Sequence, residues 1–251
     1  MRVKQAYVSY NVDSFKGAFL KKFNLKDYHD RDEAAVFFGM YATLVQDVLT
    51  LAQHRGPAIV FWAGSDTMKI DRRLYNLIKT RDIKHIAQSK FCSDDLRDLG
   101  IDHELVPVTT ASLDIKPVPR GDCVYFYGNR DFYGLNMVPE IESRTGLKII
   151  KTTPNTYTRS ELMGVYRECF IGLRLTPHDG LPHTVVELGL MGRRCLHNGS
   201  VPTVINYSGM DDICDSIMSE YKIRHRDNRW IAEEIKNYIT ITDDWLHINK
   251  Y

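Results

Sequence analysis

Thr176-Pro-His-Asp-Gly-Leu-Pro-His-Thr-Val-Val-Glu187 is the stretch on which the reading of this chain turns. Asp179 and Glu187 stand eight positions apart across a turn that runs into an apolar helix. Gly180 leaves the backbone free to take unusual φ, and Pro182 suits a first helical turn, where its missing N–H is no loss. Val185, Val186, Leu188, Leu190 and Met191 then carry the helix into a core. A helix start presents N–H groups and a partial positive charge, so it is suited to hold an anion. Glu187 lies about a turn and a half further on, within reach of a polar group attached to that anion. The pattern predicts a site for a phosphorylated ligand bearing hydroxyls. Taken alone, the two acids could equally be a solvated loop acid and an exposed helix Glu; the glycines and apolar residues around them tip the reading.

Outward from this stretch, short apolar runs alternate with amphipathic segments, the rhythm of β-α-β units and a parallel sheet. In the first half, strands are predicted at Gln5–Ser9, Ala34–Gly39, Ala58–Trp62, His85–Gln88 and Glu104–Pro107, with helices at Tyr41–His54, Thr67–Lys79 and Ser93–Gly100. Thr109–Arg120 has no periodicity and holds Pro117 and Pro119, as a linker would. The second half repeats the rhythm. Its strands are predicted at Cys123–Tyr127, Leu147–Lys151, Cys169–Leu175, Arg194–His197 and Val204–Tyr207. Its helices are predicted at Val138–Thr145, Ser160–Tyr166, Pro182–Met191, Met210–Tyr221 and Asn228–Thr240. The fold expected is α/β, with two Rossmann-like domains facing each other across a cleft. The first occupies 1–116 and the second 117–227, and 228–251 read as a C-terminal helix with an aromatic anchor.

The bulk numbers set limits. At 251 residues and 43% hydrophobic content, the chain can bury a core in one large or two small domains. A net charge of +1 gives no general attraction to nucleic acid or membrane. Five scattered cysteines without a Cys-x-x-Cys pair indicate neither a disulfide framework nor structural zinc, and read as buried thiols in a reducing, cytoplasmic setting. Met1–Tyr10 is too short and polar for a signal peptide and reads as a first strand. No run approaches the roughly 20 apolar residues needed to cross a bilayer, so no stable membrane insertion is expected.

The segment from Tyr166 to Leu196, centred on Asp-Gly-Leu-Pro…Val-Val-Glu-Leu-Gly-Leu-Met-Gly, resembles the donor motif of retaining GT-B glycosyltransferases. It is most similar to glycosyltransferase family 4, with Asp179 where that family commonly has Glu. The compact chain also fits a viral or phage type of such an enzyme. The resemblance spans roughly Phe61 to Ser200 and implies sugar transfer from a nucleotide-diphosphate sugar, UDP-sugar first, to an acceptor hydroxyl with retention. It also implies that 228–251 cross back to the first domain. The nucleotide sugar is a co-substrate, so no cofactor is expected, and no essential metal is expected either. Asp179 would orient the sugar and Glu187 would hold the ribose hydroxyls, with Gly180, Leu181, Pro182, His183 and Thr184 around the donor.

Tyr125-Phe-Tyr-Gly-Asn-Arg130 follows a strand, and an Arg on such a Gly turn can hold a phosphate through charge-assisted hydrogen bonds. Gly128, Asn129 and Arg130 match the family's phosphate turn. Its usual Lys a few residues later is absent, and Tyr133 and Gly134 occupy that neighbourhood. Either Tyr133 donates a hydrogen bond to the donor instead, or the clamp is weaker and another cation helps. Thr152, in Lys151–Thr156, lies where relatives border the nucleotide base. Phe61-Trp-Ala-Gly-Ser-Asp66 resembles a family segment on the acceptor side, which assigns Gly64, Ser65 and Asp66 there; without a ligand it is a capped turn. The family's glycine-rich loop has one candidate, Tyr10–Gly17.

Acceptor identity stays open among DNA, saccharides, lipids and small molecules. Lys69, Arg72, Arg73, Lys79, Arg81 and Lys84 form a basic run that reads as a solvated helix face or as a footprint for DNA with hydroxymethylated bases. Two other readings remain: a non-catalytic nucleotide-sugar-binding protein, and a nucleotide-sugar epimerase.

Overall fold

The computed structural model describes residues 1–153, 157–240 and 242–248. The chain divides into two compact units. The first comprises Met1–Thr110, Asp179–Leu181 and the C-terminal residues from Thr240; the second comprises Ala111–His178 and Pro182–Ile239.

In the first unit, strands β1 (Gln5–Val8), β2 (Lys26–Asp27), β3 (Ala35–Phe38), β4 (Ala58–Trp62), β5 (Ile83–Ala87) and β6 (Glu104–Leu105) form a parallel sheet in the order β2-β1-β3-β4-β5-β6. Every residue of β3 and β4 is buried, because a parallel sheet is covered on both faces and its central strands read as continuous apolar runs. The covering helices are α1 (Lys16–Phe23), α2 (Val45–Gln53), α3 (Arg72–Lys79) and α4 (Lys90–Asp98). Trp245 completes one face, its ring 5.3 Å from Phe23 and 5.2 Å from Phe61.

Local signals explain where elements differ from the sequence expectation. The single helix expected over Thr67–Lys79 is a 3-10 turn at Thr67–Lys69 followed by α3, because Asp71 accepts from the amides of Arg73 and Leu74 and so starts a new helix. The helix expected from Ser93 begins at Lys90, capped by Ser89. Tyr10–Gly17 is no glycine-rich loop. Tyr10–Phe15 is a 3-10 helix and Gly17 lies within α1, where an added Cβ would meet nothing within 4 Å. Phe19 and Phe23 anchor α1, and its lysines disguised that spacing in the sequence.

In the second unit, β7 (Cys123–Tyr127), β8 (Ile149–Thr152), β9 (Cys169–Leu173), β10 (Arg194–Leu196) and β11 (Val204–Ile205) are parallel in the order β11-β10-β9-β7-β8. The chain therefore adds β8 on one side of β7 and β9 on the other, and the order reverses between β7 and β9. The helices are α5 (Val138–Thr145), α6 (Arg159–Glu168), α7 (His183–Leu190), α8 (Met210–Lys222) and α9 (Arg229–Tyr238). Thr158 and Glu161 form a reciprocal capping box that fixes the start of α6. From Thr184 to Leu190 α7 is buried on every side. Gly172 and Gly189 permit this, since a Cβ on Gly172 would meet Leu188 at 2.3 Å and one on Gly189 would meet Ile235 at 2.5 Å.

Arg193, fully buried, knits this unit together. It donates to the carbonyls of Val118 (2.8 Å), Pro119 (2.7 Å), Tyr166 (3.1 Å), Cys169 (3.1 Å) and Arg167 (3.3 Å), and to that of Met191. Burial holds its pKa down to about 10. The proline-containing segment read as a linker is fixed here by side-chain hydrogen bonds, without a helix or strand of its own.

Candidate functional site

Glu187 is 2% exposed, which excludes the reading of it as an exposed helix acid. One oxygen accepts from the Arg159 guanidinium at the start of α6, and the other from the Tyr166 hydroxyl at 3.3 Å. Burial raises its pKa, and the Arg159 and Tyr166 contacts pull it back. Around it, Tyr166 meets Tyr125 edge to face with centroids 4.9 Å apart, and Tyr125 shares a 2.6 Å hydrogen bond with Thr152. A carboxylate has room for about four hydrogen bonds, so Glu187 retains acceptor capacity beyond these two. Thr184 and Thr152, both expected at the donor, are buried beside this group. Pro154–Thr156, the rest of the loop expected near a base, lie outside the described residues.

Gly128 follows β7 with φ +155°, and an added Cβ would lie 2.5 Å from that of Tyr133. Gly134 has φ +82°, with Leu175 in the way of a side chain at 2.6 Å. Only glycine suits both places, so the turn folds tightly and leaves Asn129 and Arg130 exposed. Over it lies a residue that the sequence reading missed. Arg174 follows β9, is 7% exposed, and holds its guanidinium 4.5 Å from the Tyr133 ring centre and 5.0 Å from that of Tyr127. The available signal was a cation closing an otherwise wholly apolar strand, Cys-Phe-Ile-Gly-Leu-Arg. Arg159 carried a weaker one, as the residue after a capping Thr.

Asp179, Gly180 and Leu181 pack with the first unit. Ser89 Oγ donates to the Asp179 carbonyl at 3.0 Å, the Gly180 amide to Asp179 Oδ1 at 3.0 Å, and the Leu181 amide to Gln88 Oε1 at 3.3 Å. Two of the amides expected to hold an anion therefore serve acceptors of the protein itself. Pro182, the N-cap of α7, has no amide hydrogen to offer, and His183 is the first helical residue.

In the turn after β4, Asp66 is completely buried and accepts from the amides of Met40 (3.2 Å), Ala63 (3.1 Å), Gly64 (2.8 Å) and Thr67 (3.2 Å). Burial nonetheless raises its pKa to about 6. Asp66 thus positions the turn, and Ser65 is its exposed residue.

Most of the basic run is engaged locally. Arg73 pairs with Asp71 at 2.7 Å and Lys84 with Glu104 at 3.1 Å, Lys79 donates to the Gly100 carbonyl at 2.7 Å, and Arg81 caps carbonyls of Leu51 and His54. Among the described residues, no cluster of His, Cys, Asp and Glu could hold a metal ion, and no helix is long and apolar enough to cross a membrane.

No protein-family model and no curated protein matches the chain. Solved structures do. TarM aligns over 89% of this chain at 8% identity with a TM-score of 0.60. A Staphylococcus aureus TarM variant solved with fondaparinux, α-GlcNAc-glycerol and UDP aligns over the same share, also at 0.60. Sucrose-phosphate synthase from Thermosynechococcus elongatus aligns over 91% of this chain and 73% of its own at 10% identity, with a TM-score of 0.61. The present chain spans about half the length of TarM, 54%. These likenesses establish the fold alone: two parallel-sheet α/β domains that match the GT-B fold of those structures.

Proposed function

We propose that this chain transfers a sugar from a nucleotide-diphosphate sugar to an acceptor hydroxyl, with retention of anomeric configuration. The observation that carries the reading is Glu187, a carboxylate buried on a helix that is otherwise apolar from Val185 to Leu190 and backed by Tyr166 and Arg159. Burying a carboxylate is costly unless hydrogen bonds compensate, and such groups concentrate at functional sites. In this reading Glu187 accepts the ribose hydroxyls of the donor, and UDP is the first nucleotide to try. The fold supports it, and so does the UDP-bound TarM structure among the likenesses.

The chemistry is leaving-group stabilisation. The bond between the anomeric carbon and the diphosphate oxygen breaks, and its electrons stay with the diphosphate. The acceptor oxygen bonds to the anomeric carbon from the same face and passes its proton to the departing phosphate oxygen. Arg130 neutralises the growing negative charge, an effect worth roughly 3 kcal/mol for one well-placed donor. Asp179 holds sugar hydroxyls and so orients the ring. The local pairing of Arg73, Lys79, Arg81 and Lys84 favours a saccharide or small-molecule hydroxyl over DNA as acceptor.

A thermal-shift series tests the reading. Wild type and Glu187→Ala are melted with UDP, GDP, ADP, CMP and their sugar conjugates. Stabilisation of the wild type by one nucleotide, lost in the variant, is expected. No shift with any of them would remove the donor site. Where a conjugate does stabilise the protein, slow release of free sugar from it separates an enzyme from a binding protein.

A further inference from the structure

Resting on the donor-site reading above, we infer that Arg174 is the second cation of the diphosphate site, acting with Arg130 on a nucleoside diphosphate. The motif resemblance calls for a positive charge a few residues after Arg130, where the chain has Tyr133. The fold returns a charge to that place from another strand. The Arg174 guanidinium lies 4.5 Å from the Tyr133 ring centre and 5.0 Å from that of Tyr127. It reaches both rings from a position some forty residues further along the chain.

The position in the sheet strengthens the assignment. Ligands of doubly wound sheets sit beyond the carboxyl ends of the strands where strand order reverses. In the second unit that point lies between β7 and β9. Tyr127 ends β7, and Arg174 immediately follows β9. Both loops leaving the reversal point thus contribute to one cation–aromatic group. Contact with two rings restricts the guanidinium, so less side-chain freedom is lost when it bonds phosphate oxygens. Arg130 is exposed and its attraction is screened by salt, whereas a charge 7% exposed is screened far less.

The test is titration calorimetry of wild type, Arg174→Gln and Arg130→Gln with UDP, GDP and ADP and with the parent nucleosides. It reads the ratio of diphosphate to nucleoside affinity for whichever base binds. In Arg174→Gln that ratio is expected to fall on the order of tenfold or more, with nucleoside affinity kept, because a charge-assisted contact is lost. An unchanged ratio, or equal loss of nucleoside and diphosphate binding, overturns the role of Arg174 while leaving the donor site standing. Wild type that binds none of the nucleotides overturns the donor site itself. Arg130→Gln keeps the test decisive if Arg174→Gln does not fold. A diphosphate preference of about tenfold surviving in Arg130→Gln supports a second cation, and collapse of the preference to none rejects it.

Discussion

Gly64 and Gly180 meet backbone to backbone: a Cβ on Gly64 would lie 2.9 Å from the Gly180 nitrogen, and one on Gly180 would lie 2.1 Å from the Ala63 carbonyl oxygen. Backbone cannot yield as a flexible side chain does, so Gly180→Ala must push the Asp179–Leu181 segment off its seat. The expected loss is about 2 kcal/mol of stability, typical of overpacking a tight contact. Gly17→Ala is the control, since its Cβ meets nothing within 4 Å and it sits in a helix, where Ala gains roughly 0.5–1 kcal/mol. Urea unfolding of both variants checks the pair; equal midpoints would mean that the close approach does not constrain the chain.

Such contacts show what the sequence could and could not reveal. The α/β rhythm was legible because central parallel strands are apolar throughout, and Ala58–Trp62 and Cys123–Tyr127 begin and end where their apolar runs do. Helix α1 was not legible, because its eight residues include three lysines and a glycine. Among the candidate residues, Asp179, Glu187 and Arg130 stood out through local spacing. Arg174 and Arg159 did not, since what gives them meaning is a ring from another strand and a carboxylate from another helix. Asp66 was visible as an acid in a glycine turn, but its amide partners include Met40, more than twenty residues away in sequence. Long-range partners of this kind leave no periodic trace.

Glu187 and Arg159 form an asymmetric pair, with side chains 2% and 49% exposed. Removing the exposed partner leaves a buried charge uncompensated, so Arg159→Met should destabilise the protein by roughly 1–3 kcal/mol at neutral pH. The sign with pH follows from a folded pKa that burial already raises above 4.5. A raised carboxylate pKa gives stability that is fully present below the unfolded value and declines as pH rises through the folded one. Loss of Arg159 raises that pKa further, so the variant should lose more stability than wild type between about pH 4.5 and neutrality. Adding Glu187→Gln should restore most of the loss, and a double-mutant cycle by urea unfolding at two pH values measures it.

Two buried groups of the first unit pull the acid response in opposite directions. Burial lowers His85 to about 4, and its Nδ1 accepts from Trp62 Nε1 at 3.3 Å, as a neutral ring does. Its contribution is intact above the unfolded value of 6.5 and is lost as pH falls toward 4. Asp66, raised from 3.8 to about 6, contributes most at low pH and loses that as pH rises through 6. Each shift corresponds to roughly 3 kcal/mol at about 1.4 kcal/mol per pH unit. The two nearly cancel in wild type between pH 4 and 6. His85→Gln should therefore gain stability relative to wild type on acidification, and Asp66→Asn should lose it. Unfolding curves for all three proteins that run parallel from pH 7 to 4 would refute the opposition.

Arg193→Lys tests how the segment around Val118 is held. The guanidinium is fully buried and reaches six carbonyls, those of Val118, Pro119, Tyr166, Arg167, Cys169 and Met191. A lysine keeps the charge but has three donors on a single nitrogen, so it cannot span acceptors arranged around a planar fork. At least three carbonyls lose their arginine donor, each worth about 1 kcal/mol or more when left unsatisfied in the interior. The ammonium must also be buried with fewer partners, which adds to the loss. The expected result is destabilisation of about 3 kcal/mol or more. Arg194→Lys is the contrast, because its side chain is 30% exposed and its ion-pair partner, Glu220, also holds Arg120 at 3.1 Å. That change should cost about 1 kcal/mol or less. Hydrogen exchange locates the effect: in Arg193→Lys, protection of the Val118 amide, which donates to the Met191 carbonyl at 3.3 Å, should fall ahead of the amides of β3 and β4. If both lysine variants unfold at the same urea concentration, the carbonyl cluster around Arg193 is not what fixes this segment.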